Sequence, residues 1–185
     1  MPIISVNPAS EEPITLAEAK IQCQVDADLT DEDVFIEELI LSAVDFCEQY
    51  TGRRLITQEQ KYIGKFLSRI ELAPNLLSVE AIKYMDSQGV LQQLANDKFY
   101  VMNAIVGEVQ ACINWPAVLA NHPQPVEISF TCGYGAAEDV PDSIKQCIRL
   151  LVGHWFRNRE MAGAVTGSIL DSASSLLNTF RVVNI

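Results

Sequence analysis

From Val140 to Glu160 apolar residues recur at helical spacing, and Ile144, Cys147, Ile148, Leu151, Val152 and Trp155 share one arc when each residue turns by about 100°. The pattern predicts a helix half sunk in a core. Pro141 suits its first turn, where Asp142 and Ser143 place acceptors beside unpaired N–H groups. Gln146, Arg149, Gly153 and Arg157 fall on the opposite side, with Leu150 among them. A second long helix is predicted to about Tyr50, opened by the capping box Thr30-Asp-Glu-Asp33 and closed by Gly52 in the left-handed conformation. Phe35, Ile36, Leu39, Ile40, Ala43, Val44, Phe46, Cys47 and Tyr50 cover half of its circumference. The other half carries Glu37, Glu38, Asp45 and Glu48, with Val34 and Leu41 standing seven apart inside it.

A shorter helix precedes these, announced by a capping box in Thr15-Leu-Ala-Glu18 and ending near Gln24. From about Ile56 to Tyr134 the period moves from 3.6 toward 2, with Gly, Pro and Asn as punctuation. Val126–Cys132 alternates apolar and polar throughout, and Glu108–Ile113 does so less fully. Ile82–Tyr84 and Val90-Leu91 flank Asp86-Ser-Gln-Gly89, which reads as a hairpin turn. Trp115 to Pro125 reads as a loop. After Glu160, Met161 to Ser175 is rich in Ala, Gly and Ser, with Asp171 and Ser172 placed to cap a short helix holding Leu176, Leu177 and Phe180.

The fold class is therefore α+β: a small helical core of three main helices plus a short C-terminal helix, with a β-rich module inserted. Its divisions are 1–55 and 136–160 for the helical core, 56–135 for the module, and 161–185 for a flexible connector and anchor helix.

Composition narrows the chemistry. A formal net charge of -11 opposes adhesion to phosphate backbones or anionic lipid. No apolar run is long enough to span a bilayer, and the first residues lack a signal-peptide pattern, so a cytosolic protein is expected. The five cysteines form no C-x-x-C pair and sit on apolar faces, as core thiols do. Two histidines leave little for a zinc site, so neither metal nor cofactor is expected. Gly133-Tyr-Gly135 lacks the lysine of a phosphate loop and is followed by Glu138 and Asp139, so it reads as a turn. Cys147 and His154 are about 10 Å apart along a helix, too far for a nucleophile and its base. No catalytic constellation emerges.

What remains is a pair of outward faces. Val34, Glu37, Glu38, Leu41 and Asp45 make one acidic with an apolar centre; Lys145, Arg149, Leu150 and Arg157 make the other basic with an apolar centre. Complementary faces on one molecule are what a head-to-tail subunit interface requires.

Thr15–Lys20, Thr30–Asp33, Glu48–Leu55, Cys132–Gly135 and Pro141–Glu160, taken as an ordered set, resemble the head-tail connector adaptor proteins of long-tailed bacteriophages and prophages. Such proteins usually carry Trp-Tyr where this chain has Trp155-Phe156. The resemblance implies a non-enzymatic structural protein that assembles, commonly as a ring of about twelve, beneath the portal vertex and offers a platform to head-closure or tail-completion proteins. It also implies that the C-terminal segment, with Leu176, Leu177, Phe180 and Arg181, docks on the portal. DNA would pass through without tight binding, and the virion neck would be the final location. Two other readings stay open: a ligand-binding or enzymatic domain using the β module as a pocket, and a packaging factor that binds DNA directly.

Overall fold

The structure is a computed structural model that describes residues 3–67, 69–103, 106–159 and 167–182. The chain divides into a β unit, residues 1–10 with 57–133, and a helical unit, residues 11–56 with 134–185. Of the connector expected over 161–175, residues 161–166 lie outside the described residues and the rest is helical.

In the β unit, strands β1 (Ile3–Asn7), β2 (Gln58–Gly64), β4 (Leu76–Met85), β5 (Leu91–Gln93) and β8 (Val126–Cys132) form one antiparallel sheet in the order β1-β2-β8-β4-β5. β8 occupies the centre, and its alternation is met by burial: Val126, Ile128, Phe130 and Cys132 are all buried. The Asp86–Gly89 turn joins β4 to β5 with Gly89 at a φ of 81°, and the Asp86 carboxylate accepts from the N–H groups of Gln88 and Val90. A second antiparallel sheet contains β3 (Ile70-Glu71), β6 (Phe99–Asn103) and β7 (Gly107–Ala111) in the order β3-β7-β6. Val109 and Ile70 from it join Ile82, Ile128 and Phe130 in one buried cluster. Gly107 admits the close approach between sheets, because a Cβ there would lie 2.3 Å from Leu76 Cβ and 2.9 Å from the Ala73 carbonyl.

β1 was not expected as a strand. Ile3, Ile4 and Val6 suit one, but five residues between prolines carry no readable alternation. Pairing with β2 decides the matter, and it moves the first ten residues out of the helical part and into the β unit.

The helical unit holds α1 (Leu16–Cys23), α2 (Asp33–Thr51), α3 (Asp142–Arg157) and α4 (Gly167–Leu177). α3 touches each of the other three. Its predicted core face is the observed one: Ile144, Cys147, Ile148, Leu151 and Val152 are buried and Trp155 is half-buried. α1 begins with the anticipated box, since Glu18 N–H donates to Thr15 Oγ1 at 3.2 Å and Thr15 N–H donates to Glu18 Oε2 at 2.8 Å. α2 ends as expected at Gly52, whose φ is 70° and whose N–H returns to the Glu48 carbonyl at 2.8 Å.

Three other caps differ. Glu32, not Thr30, precedes α2 and no side chain caps it, because Asp33 is drawn instead into an ion pair with Lys20 of α1. Neither Asp142 nor Ser143 caps α3, which starts after Pro141 alone. Asp171 and Ser172 lie inside α4, which begins four residues earlier than Asp171, at Gly167.

Replacing Thr15 by alanine is expected to lower stability by about 1 kcal/mol in urea unfolding, the usual worth of a helix cap. The Glu18 carboxyl is held below its ordinary value, chiefly by the Thr15 N–H, with help from Arg149 and Lys145. Its contribution is complete above the ordinary carboxylate range and fades as the pH falls through the depressed value. The stability gap between wild type and Glu18→Gln should therefore close on acidification.

Candidate interaction surface

Turned at 100° per residue, positions 34, 37, 38, 41 and 45 of α2 fall within roughly one third of the helix circumference. The structure leaves this stripe open. Val34 is 69% and Leu41 54% exposed, and Glu37, Glu38 and Asp45 are exposed around them. Asp45 accepts from Gln49, one turn on. Glu48, expected on the same face, is instead turned inward: its carboxylate accepts from the Leu55 N–H at 2.9 Å and pairs with Arg54.

The α3 face is less free than its sequence predicts. Arg149 pairs with Glu18 of α1 at 3.2 Å, and Lys145 Nζ reaches the Glu138 carbonyl at 3.4 Å. Gly153 is buried beneath α1, where an added Cβ would stand 3.1 Å from Gln22 Cγ. Leu150 is half-buried. Arg157 is exposed, its charge is felt by the Cys23 thiol at the end of α1, and it enters no ion pair among the described residues. Wheel geometry gives the direction of a side chain, but it does not say which directions a sister helix occupies.

Beside the α2 stripe runs a groove of about 440 Å³, lined on one side by Glu11, Glu12, Ile14 and Leu16 and on the other by Glu37, Ile40 and Leu41. Burial raises the Glu12 carboxyl above its ordinary value, and the nearby Glu48 charge adds to the effect. Glu11 spends one oxygen on the Ala137 N–H at 2.9 Å. Sequence periodicity could not find this groove, because one wall is irregular chain.

A second hollow of about 280 Å³ lies between α2 and α3, lined by Phe35, Leu39 and Trp155. Its rim is already occupied, since the Arg159 guanidinium sits 4.8 Å from the Phe35 ring centre and 4.7 Å from that of Phe156 and pairs with Glu32.

The C-terminal residues expected to dock elsewhere divide in two. Leu177 is fully buried in its own helical unit and Leu176 and Phe180 are half-buried, while Arg181 is exposed over the Tyr50 ring. The Phe180 carbonyl accepts from Arg53 Nε at 2.8 Å, Tyr50 donates to Asn178 at 2.7 Å, and Val182 N–H donates to the Thr51 carbonyl at 2.9 Å. These bonds strap residues 178–182 to the end of α2.

Reactive groups are otherwise committed to structure. Cys47 and Cys147 meet at 3.7 Å between α2 and α3, and the Cys147 contact together with burial pushes the Cys47 thiol up, away from thiolate. The Cys112 thiol, expected in a core, is half-buried and reaches the Asp97 carbonyl. His154 Nδ1 lies 3.2 Å from Asn158, not near Cys147. No group of three His, Cys, Asp or Glu side chains is placed to hold a metal ion among the described residues. Gly133-Tyr-Gly135 is a turn in which Asp139 accepts the Ala136 N–H at 3.0 Å. Trp115 stacks on Phe66 at 4.5 Å and donates to the Leu67 carbonyl, so its ring is packed rather than offered to a ligand.

The profile of the head completion protein family matches residues 14–168. No curated protein matches the chain. Among solved structures it is similar to a chain in the "Neck of empty GTA particle computed with C6 symmetry", with 20% identity, a TM-score of 0.84 and coverage of 100% of this chain and 97% of that one. A chain of the "Virion of native gene transfer agent (GTA) particle" has a TM-score of 0.82 at 20% identity, again covering 100% and 97%. One in the "Neck of native GTA particle computed with C12 symmetry" has 0.76 at 19%, with the same coverage. These similarities are of fold.

Proposed function

Since the chain belongs to the head completion protein family, it is a structural protein of the phage head–tail connector, and we propose that it works there as one subunit of a ring. The observation that carries the ring is the open α2 stripe, where Val34 and Leu41 stand in a field of carboxylates. Such an apolar centre with a charged rim has the make-up of a protein contact. The rotational symmetry named for the similar neck structures is in keeping with it. The portal is the proposed partner on one side and a head-closure or tail-completion protein on the other.

Leu150 and Arg157 supply the complementary half of the subunit contact, Lys145 and Arg149 having turned toward their own subunit. At the C-terminus, Leu176, Phe180 and Arg181 are proposed to meet the portal. Leu177 is withdrawn from that role by its burial. A subunit with net charge -11 would let DNA slide past without holding its phosphates, so tight DNA binding has no part in this reading. The role asks for surfaces rather than for a reaction, and the expected location is the virion neck after assembly in the host cytoplasm.

Deleting the gene from a particle-producing strain should leave filled heads and free tails under the electron microscope, with joining restored by the wild-type chain. Complete particles formed without the chain would overturn the reading. Leu41→Lys should keep its melting behaviour within about 0.5 kcal/mol, as exposed substitutions do, yet fail to restore joining.

A further inference from the structure

We propose that the groove between the Glu11–Leu16 segment and α2 is the seat of a second copy of this chain, which enters it with Leu150 and Arg157 of its α3. The inference rests on the ring reading above and names the socket, the knob and the ion pair. The socket's floor is aliphatic, from Ile14, Leu16, Ile40 and the half-exposed Leu41, and its edges are carboxylates. Glu12 is half-buried there and, like Glu37, takes part in no ion pair among the described residues. A carboxylate partly removed from water without a cation is costly, and an incoming guanidinium would relieve it.

Most cations of the same unit are already engaged. Lys20, Arg54, Arg149 and Arg159 pair with Asp33, Glu48, Glu18 and Glu32, and Arg53 serves the Phe180 carbonyl. Arg157 is exposed and unpaired among the described residues, with Leu150 seven positions before it, about 10 Å along the same side of the helix. A subunit's own Arg157 is poorly placed for its own groove. It stands near Cys23 at the last turn of α1, whereas the groove opens at Thr15 and Leu16 in the first, and eight residues of helix span about 12 Å. Arg157 and the socket lie toward opposite ends of α1, so the patch that gives and the patch that receives are different, and such a heterologous contact repeats from copy to copy and closes when the rotation permits.

The test places a photo-crosslinking residue, p-benzoylphenylalanine, at position 41 of the full chain in a particle-producing strain. Particles are purified and irradiated, and the adducts are mapped by mass spectrometry. The expected product is a chain-to-chain adduct between position 41 and the Leu150–Arg157 stretch. Arg157→Glu should reduce it about tenfold, and adding Glu12→Arg and Glu37→Arg should restore it, since reversing both partners rebuilds the attraction. An adduct with a different protein, or particles that contain the chain but give no adduct, would overturn the seat while leaving the neck role standing. Particles from which the unmodified chain is absent would remove the neck role and the seat together. Circular dichroism melts of each variant show that lost adduct is not lost folding.

Discussion

Replacing Lys20 by alanine is expected to destabilise the helical unit by about 3–5 kcal/mol, the range for breaking a buried charge pair from one side. The Lys20 side chain is only 7% exposed, and its ammonium donates to the Leu29 carbonyl at 2.7 Å and the Ala27 carbonyl at 3.2 Å while pairing with Asp33. One cation therefore holds both the loop between α1 and α2 and the first residue of α2. Removing it takes the donor from two carbonyls and the cation from the part-buried Asp33 carboxylate. Lys20→Met should be almost as damaging, because it restores the stem but not the donors. Lys20→Met with Asp33→Leu should recover much of the loss, since an apolar pair asks for no partner. Urea unfolding followed by circular dichroism reads all three. Equal losses in the single and double variants would show that the ion pair is not what holds the loop.

Leu177→Ala is expected to cost about 2–5 kcal/mol, the range for emptying a buried leucine site. Leu177 is fully buried, Ala173 one turn before it is buried too, and the Ala173 carbonyl lies 4.0 Å from Cys147 Sγ of α3. Faster hydrogen exchange should appear in α4 and in residues 178–182, whose bonds to the end of α2 follow α4 in sequence, with the β unit little changed. An unaltered melt combined with failure to enter particles would mean instead that Leu177 faces a partner. The experiment thus separates an anchor within the subunit from a portal contact, and Arg181→Glu should show the opposite pattern, with stability kept and docking weakened.

Much of the fold was legible wherever the information was local. The Thr15–Glu18 box, the left-handed Gly52, the Asp86–Gly89 turn and the alternation of Val126–Cys132 are each decided by residues within a turn or a strand of one another. The misreadings share the reverse property. β1 depends on pairing with residues about fifty positions away, and Glu48 turned inward because Arg54 and Leu55 fold back over the helix end. Asp33 resembled a capping residue but answers to Lys20 on another helix. At the candidate surface, the outward direction of Val34, Leu41 and the surrounding acids was readable because a helix wheel fixes it. Glu12 was not, since its partial burial arises from tertiary packing, and no periodic pattern reports that.

The chain passes between its two units three times, near residues 10, 56 and 133, so neither unit is a contiguous length of polypeptide. A ribosome releasing this protein must hold β1 unpaired until β2 and its neighbours emerge, and must hold α1 and α2 without their central partner until α3 is made. Non-local closure of this kind makes folding slow relative to helix formation. It also times the appearance of the surface. The α2 stripe and the groove beside it acquire their rigid backing only after the last of the core helices has docked. If that surface is the proposed ring contact, a nascent subunit would have no finished docking face to offer, and the order of the sequence would itself suppress premature assembly on half-made chains.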